Sequence, residues 1–266
     1  MIRNRIEPFD LPKVKPEHRL GIFSRFEDLV GARIKELTAN GSKPNLERAR
    51  FFRFLLDRVD AEEYGRLQEE QLSAPVFSAD NRTLKYLDPI RWFESKLALA
   101  QSVRLPERQP LRLLDIGAGP GHFPVAAEFY GHDVTAADLP AGDPRRLDQG
   151  DLFGRLCSLL GIKCVPLEVL AFSPLPDFGA PYDMVTALLV KFSAHADGTL
   201  WGLDEWGFFL RDVRDNVLKP GGDLILKLNN GMITDAVWHY LSARATEADE
   251  KTKLVRFDRL SQLPLA

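Results

Sequence analysis

An α/β fold built on a mostly parallel sheet is predicted by three features of this sequence. Short β-like runs alternate with helical stretches through residues 111–266, which implies right-handed βαβ units. The first four runs are nearly continuous in apolar residues, as strands covered on both faces should be. The first run passes into a helix through a glycine-rich turn, "DIGAGPGHF", residues 115–123.

Residues 1–110 read instead as an extended arm and a helical cap. Pro8, Pro12 and Pro16 hold the first stretch extended. Phe23, Phe26, Val30, Ile34 and Leu37 then recur at steps of three and four, the apolar face of a helix that "NGSKP" (Asn40 to Pro44) ends. Phe51, Phe52, Leu55, Leu56 and Val59 line a second helix. A third starts at Asp88, an N-cap followed by Pro89 in the first turn, and carries Ile90, Phe93, Leu97 and Ala100 on one face. No strand signal occurs here. Pro106 and Pro110 in "LPERQP" mark the boundary to a sheet domain at 111–266. The charge changes there too: 20 Lys and Arg against 17 Asp and Glu before it, 15 against 21 after it.

In the second part the β-like runs are 111–117, 133–139, 163–170, 182–190, 223–229 and 253–258. Helical stretches lie near 122–130, 151–160, 204–218 and 233–248. The chain of 266 residues carries a formal charge of -3, which argues against a general nucleic-acid-binding surface. No run of about 18 apolar residues occurs, so no membrane span is expected. The first sixteen residues lack the apolar core of a secretory signal. Two cysteines, Cys157 and Cys164, exclude a disulfide framework, read as buried packing, and favour the cytoplasm.

The turn carries the functional signal. Gly117, Gly119 and Gly121 let the backbone reverse sharply and let a ligand approach where a Cβ would intrude. The open amides at the following helix start favour a polar or anionic group. Asp138 ends the second run, 21 residues after Gly117, where a carboxylate accepts hydrogen bonds from ribose hydroxyls. The dinucleotide fingerprint GxGxxG places its third glycine where this chain has His122, which disfavours a nicotinamide or flavin enzyme.

"LLDIGAGPG" followed by the acid of "AADL" resembles the class I S-adenosylmethionine-dependent methyltransferases. "LKPGGDLILKL" (218–228) resembles that family's turn and fifth strand, and "PYDMVTAL" (181–188) its fourth; the resemblance spans residues 86–258. It implies a doubly wound, mostly parallel Rossmann-like methyltransferase sheet with an N-terminal helical extension. It also implies S-adenosylmethionine as cofactor. Gly117, Ala118 and Gly119 would pass under the methionine moiety and ribose, with Gly121 completing the turn. Asp115 would face the amino group, Asp138 the ribose hydroxyls and Leu139 the adenine. Leu170, Ala171 and Phe172 would hold the other adenine edge, and Leu188 and Leu189 would line the sulfonium end. The family often has an acidic or amide residue after its third strand. This chain has no carboxylate there after Glu168, so backbone groups are expected to serve. The family also ends on an antiparallel seventh strand, for which this sequence shows only a poor candidate.

The stretch after the fourth strand, residues 188–209, normally faces the reacting methyl in this family. It lacks the Asn/Asp-Pro-Pro-aromatic motif of enzymes that methylate exocyclic amines of bases or glutamine amides. His195 is the candidate general base, with a loop histidine bonded to backbone as the plainer reading. Lys191 and Asp197 read as a solvated lysine and an Asx turn. Trp201 and Trp206 either wall a substrate pocket or pack between helix and loop. His122 caps its helix or touches the cofactor carboxylate, and His132, after Gly131, reads as surface. Trp92 and Lys96 share a helix face near Tyr86, and this segment and Lys191–Trp206 are expected to meet over the sulfonium. Arg48, Arg50, Arg53 and Arg58 among Phe51, Phe52 and Phe54 read as a solvated basic face over a core.

The expected activity is methyl transfer to oxygen or nitrogen of a small-molecule or modest polar acceptor, with no metal site. An RNA or protein methyltransferase, a nicotinamide-dependent oxidoreductase and a catalytically silent cofactor-binding protein are the competing readings.

Overall fold

The computed structural model describes residues 22, 24–73, 84–143 and 151–260. The proline-bearing arm and Phe23 lie outside them. The chain forms two compact units. One takes the chain up to Pro106 together with Gly119–Tyr130 and Ala141–Lys163; the other takes Glu107–Ala118, Gly131–Pro140 and Cys164–Ala266. The division does not fall at a single point near residue 110, because two later stretches group with the N-terminal helices.

In the helical unit, α1 (Phe26–Asn40) buries Phe26, Val30 and Leu37 and stops at Gly41, whose φ of 59° is left-handed. The next helix, α2 (Lys43–Arg58), buries Ala49, Phe51, Phe52 and Leu55. Then α3 (Ala61–Ser73) appears, which the apolar periodicity did not predict. Its inner face is Tyr64, Leu67, Gln68 and Gln71, all buried at helical spacing but half of them polar. Tyr64 donates to the Leu87 carbonyl at 2.9 Å, and Gln68 donates to that of Ile22 at 3.1 Å, so both polar groups are satisfied. A short 3₁₀ turn, Leu84–Leu87, leads to α4 (Pro89–Ser102). As predicted, Asp88 caps this helix by accepting from the Arg91 amide. In the same unit stand α5 (His122–Phe129), buried along almost its whole length, and α6 (Leu152–Leu159). Arg58 ties α2 to this region, donating to the Leu160 and Gly161 carbonyls and pairing with Glu128 at 2.6 Å.

The sheet unit has seven strands among the described residues: β1 (Arg112–Ile116), β2 (Asp133–Asp138), β3 (Cys164–Pro166), β4 (Tyr182–Val190), β5 (Leu218–Leu228), β6 (Glu247–Asp249) and β7 (Leu254–Phe257). Their order is β3-β2-β1-β4-β5-β7-β6. β1 pairs in parallel with β2 and β4, β2 with β3, and β4 with β5. β7 runs antiparallel to both β5 and β6. Strand order reverses between β1 and β4, which defines a doubly wound sheet and its switch point. This is the order of the Rossmann-like methyltransferase fold.

Three expectations need correction. The run at 253–258 is the antiparallel seventh strand, while β6 lies in what read as the end of a helix; α8 (Asp235–Ser242) stops earlier. All three residues of β6 are exposed, so no burial pattern marks it. β3 is a three-residue edge strand whose Cys164 is exposed, so only Cys157 is buried packing. The predicted 204–218 helix is α7 (Leu203–Asp212) continued by a single π turn, Val213–Val217. Trp206, Phe209, Leu210 and Val213 from this element pack on Tyr182, Val185, Leu224 and Leu226 of the sheet. No helix among the described residues is long and apolar enough to cross a membrane.

Candidate functional site

The carboxyl ends of β1, β2 and β4 bring the sheet-borne candidates to one edge. The amides of Gly117 and Ala118 both donate to the Ala137 carbonyl, at 2.7 and 3.1 Å. This fork clamps the start of the glycine turn to the end of β2, one residue before Asp138. Gly117, Gly119 and Gly121 have φ of 71°, 56° and 79°, a region open to glycine and costly for other residues. Asp138 is half-buried, and one carboxylate oxygen accepts from the Leu139 amide at 2.7 Å. Its carbonyl accepts from Leu167, which anchors the segment after β3 beside it.

That segment carries Leu170, 49% exposed, half-buried Ala171, and Phe172, 55% exposed. Phe172 holds a left-handed φ of 56° and sets its ring edge-on to Phe208 at 6.0 Å. At the end of β4, Leu189 also has a left-handed φ, 62°, at a break in the β4–β5 register, and its side chain is 41% exposed. Asn229 donates to its carbonyl at 2.6 Å. Left-handed leucine and phenylalanine are strained, and strain is held where surrounding structure over-determines it. Neither Phe208 nor Asn229 was singled out from sequence, because each works through a partner distant in the chain. Leu188, by contrast, is buried.

Asp115 is 2% exposed, and Thr186 of β4 donates to its carboxylate at 2.6 Å. The carboxylate is therefore oriented from β4, below the turn. Within the helical unit, Phe153 would lie 3.8 Å from a Cβ at Gly119, and Cys157 Sγ would lie 3.1 Å from one at Gly121.

His195 sits in a tight turn, its amide donating to the Thr199 carbonyl at 2.8 Å. Its Nε2 faces Glu205 Oε1 at 3.3 Å, while the other oxygen of Glu205 accepts from the Gly202 amide at 3.0 Å and caps α7. Asp197 forms the expected Asx turn with Thr199, whose hydrogen bonds hold the carboxyl below its usual range. Trp201 and Trp206 do not wall a pocket: both are buried and pack on each other and on Phe192 and Phe209. His132 is not at the surface. It is buried, and its Nδ1 accepts from the Leu111 amide at 3.1 Å, a bond to a neighbouring chain segment that sequence does not reveal.

The residues present fit an adenosyl cofactor. Asp138 offers a carboxylate for a vicinal diol, the exposed side chains of Leu170 and Phe172 offer faces for a flat base, and the glycine turn is a cradle that side chains would fill. No protein-family model matches the chain, and no curated protein sequence matches it. Among solved structures, the chain is similar to a ribosomal protein L11 methylase from Lactobacillus delbrueckii subsp. bulgaricus, at 15% identity over 63% of this chain and 75% of that one, with a TM-score of 0.38. It is similar to the glycopeptide N-methyltransferase MtfA at 16% identity, covering 52% of this chain and only 53% of that one, with a TM-score of 0.34. A putative S-adenosyl-L-methionine-dependent methyltransferase from Methanococcus maripaludis gives 17% identity, 54% and 60% coverage, and a TM-score of 0.38. The fold stands on the strand order and registers described above.

Proposed function

We propose that this protein is an S-adenosylmethionine-dependent methyltransferase acting on oxygen or nitrogen of a small-molecule or modest polar acceptor. The observation that carries the reading is the clamp of the glycine turn onto Ala137, beside Asp138. It fixes the glycine turn at the end of β1, which flanks the switch point where ligands of such sheets bind, with the Asp138 carboxylate at the tip of the adjacent β2. When bound, the cofactor supplies a methyl on a positively charged sulfur. Asp138 holds the ribose hydroxyls, Leu139, Leu170, Ala171 and Phe172 border the adenine, and Gly117, Ala118 and Gly119 pass beneath the methionine moiety. Asp115, oriented by Thr186, faces its amino group.

Positioning of the acceptor is then the main catalytic task. Where the acceptor must shed a proton, His195 is the group to receive it, with Glu205 holding the imidazole. A cytoplasmic location and a small-molecule rather than nucleic-acid acceptor belong to the same reading.

Titration calorimetry tests it. S-adenosylhomocysteine is expected to bind and NAD to give no heat. Asp138→Ala should weaken the former by about 1–3 kcal/mol through lost charge-assisted hydrogen bonds. Binding of NAD alone would overturn the assignment. Among the described residues no group of three or more His, Cys, Asp or Glu is placed to hold a metal ion. Chelator treatment is accordingly expected to leave turnover unchanged, and a loss restored by a divalent ion would contradict that.

A further inference from the structure

Within the sheet unit, charge is segregated along the two helices that follow β4 and β5. Those strands are parallel, and β6 runs the same way, so α7 and α8 both start at the carboxyl ends of the strands and finish at the opposite edge of the sheet. Their first turns hold acids, Asp204 and Glu205 in α7 and Asp235 in α8. The last turn of α7 carries Arg211, and Arg244 stands just past the end of α8.

The helices meet at Gly207, which is buried. A Cβ there would stand 3.1 Å from Tyr240 Oη and 3.3 Å from Arg211 Nη1. The missing side chain thus lets a hydroxyl from α8 and a guanidinium from α7 converge. Arg244 joins them through Tyr240: its Cζ lies 3.9 Å from the centre of that ring, and its Nη1 donates to the Tyr240 carbonyl at 3.2 Å.

These cations lack counter-ions. Arg211 is exposed and makes no hydrogen bond or ion pair among the described residues. Arg244 is half-buried, and its Nε is buried with no hydrogen-bond partner among the described residues. The acids that follow Arg211 are already committed. Arg214 grips Asp215 through two hydrogen bonds, at 2.7 and 3.0 Å. Asp212 is buried and accepts from the Leu175 amide and from the Asn216 side chain, each at 2.7 Å. A guanidinium stays charged throughout the ordinary pH range, so partial burial without an anion is costly, and a ligand anion relieves that cost.

We propose that Arg211, Tyr240 and Arg244 form a binding site for the phosphate monoester group of a small molecule. The site lies at the edge of the sheet opposite the carboxyl ends of β1 and β4, and it does not depend on the methyltransferase reading. A phosphate dianion matches two guanidinium charges. Its oxygens accept from guanidinium N–H groups and from a hydroxyl at once, which a carboxylate does less fully. Tyr240 supplies the hydroxyl, and its ring fixes the plane of Arg244.

Calorimetry on the full chain tests this, with inorganic phosphate, glycerol 3-phosphate and acetate as probes. Both phosphate compounds should bind saturably at millimolar concentration, roughly tenfold tighter than acetate. Arg211→Met combined with Arg244→Met should weaken glycerol 3-phosphate by at least roughly tenfold. Tyr240→Phe, which keeps the ring and its packing, should weaken it about threefold. Circular dichroism reports that each variant is folded. Arg211 is exposed, so Arg211→Met alone, with a loss of about threefold or more, keeps the test decisive if the pair does not fold. Lys251→Met removes an exposed charge elsewhere in the same unit and should change nothing. The proposal is overturned if neither phosphate compound binds, if acetate binds as tightly, if the arginine variants bind like the wild type, or if Lys251→Met costs as much as they do. S-adenosylhomocysteine, titrated alongside, should bind the arginine variants and the wild type alike. If it binds none of them, the cofactor reading falls and this site stands on its own result.

Discussion

Acidification is expected to weaken this fold through a single histidine. His122 is fully buried, and its pKa lies at about 3 against an ordinary value of 6.5, chiefly because burial disfavours the charged ring and secondarily because Lys96 is near. The unfolded chain takes up a proton on this imidazole as pH drops below 6.5, while the folded chain does not. The stability tied to the neutral ring is thus complete above pH 6.5 and is lost as pH falls toward 3, by about 5 kcal/mol at most. That is a large share of the stability of an ordinary domain. His122→Leu keeps an apolar group of similar bulk at the start of α5 and removes the titration. Urea unfolding at a series of pH values should show a steep decline between pH 6 and 4 in the wild type and a shallower one in the variant. Parallel curves would mean that His122 is not a buried neutral imidazole.

The second large effect separates two glycines of one turn. At Gly121, with φ of 79°, a Cβ would stand 3.1 Å from Cys157 Sγ, 3.5 Å from Cys157 Cα and 3.6 Å from Ile162. The nearby Cα is backbone of α6 and cannot yield by a rotamer change. Gly121→Val combines a left-handed β-branched residue with overpacking, and about 3 kcal/mol or more of destabilisation is expected. At Gly119, with φ of 56°, a Cβ meets only Phe153 at 3.8 Å, an ordinary contact. Gly119→Val should cost the fold about 1–2 kcal/mol of backbone strain. It should nonetheless abolish S-adenosylhomocysteine binding, because the added side chain fills the cradle. Thermal unfolding and calorimetry on both variants distinguish the two cases. A Gly119→Val protein that bound normally would leave the turn with a purely structural role.

Much of the sheet unit was legible because its signals are local. The nearly continuous apolar runs of β1, β2 and β4, the glycines between β1 and α5, and Asp138 at the tip of β2 stand in the chain as they stand in the fold. Asp88 was legible for the same reason, since a cap and its amide donor are three residues apart. The failures share one cause in reverse. In α3 the inward face includes Gln71 and also Gln68, whose burial depends on the Ile22 and Ser24 carbonyls, so no apolar period was present to read. Trp201 and Trp206 have the same sequence appearance whether they wall a pocket or fill a core, and only packing on Phe192 and Phe209 settled the matter.

Sequence alone thus determined the class of fold, the glycine turn and the acid at the tip of β2, because each depends on backbone freedom and burial periodicity within a few residues. Tertiary structure decided the direction of β7, since an amphipathic four-residue run is compatible with either pairing until β5 and β6 flank it. It decided that Leu189 and Phe172 take left-handed conformations and present apolar side chains at the sheet edge. It also decided that His122 is buried among rings with one nitrogen unbonded among the described residues. These last properties come from contacts between segments far apart in the chain, and no local pattern encodes the neighbour that a side chain will meet.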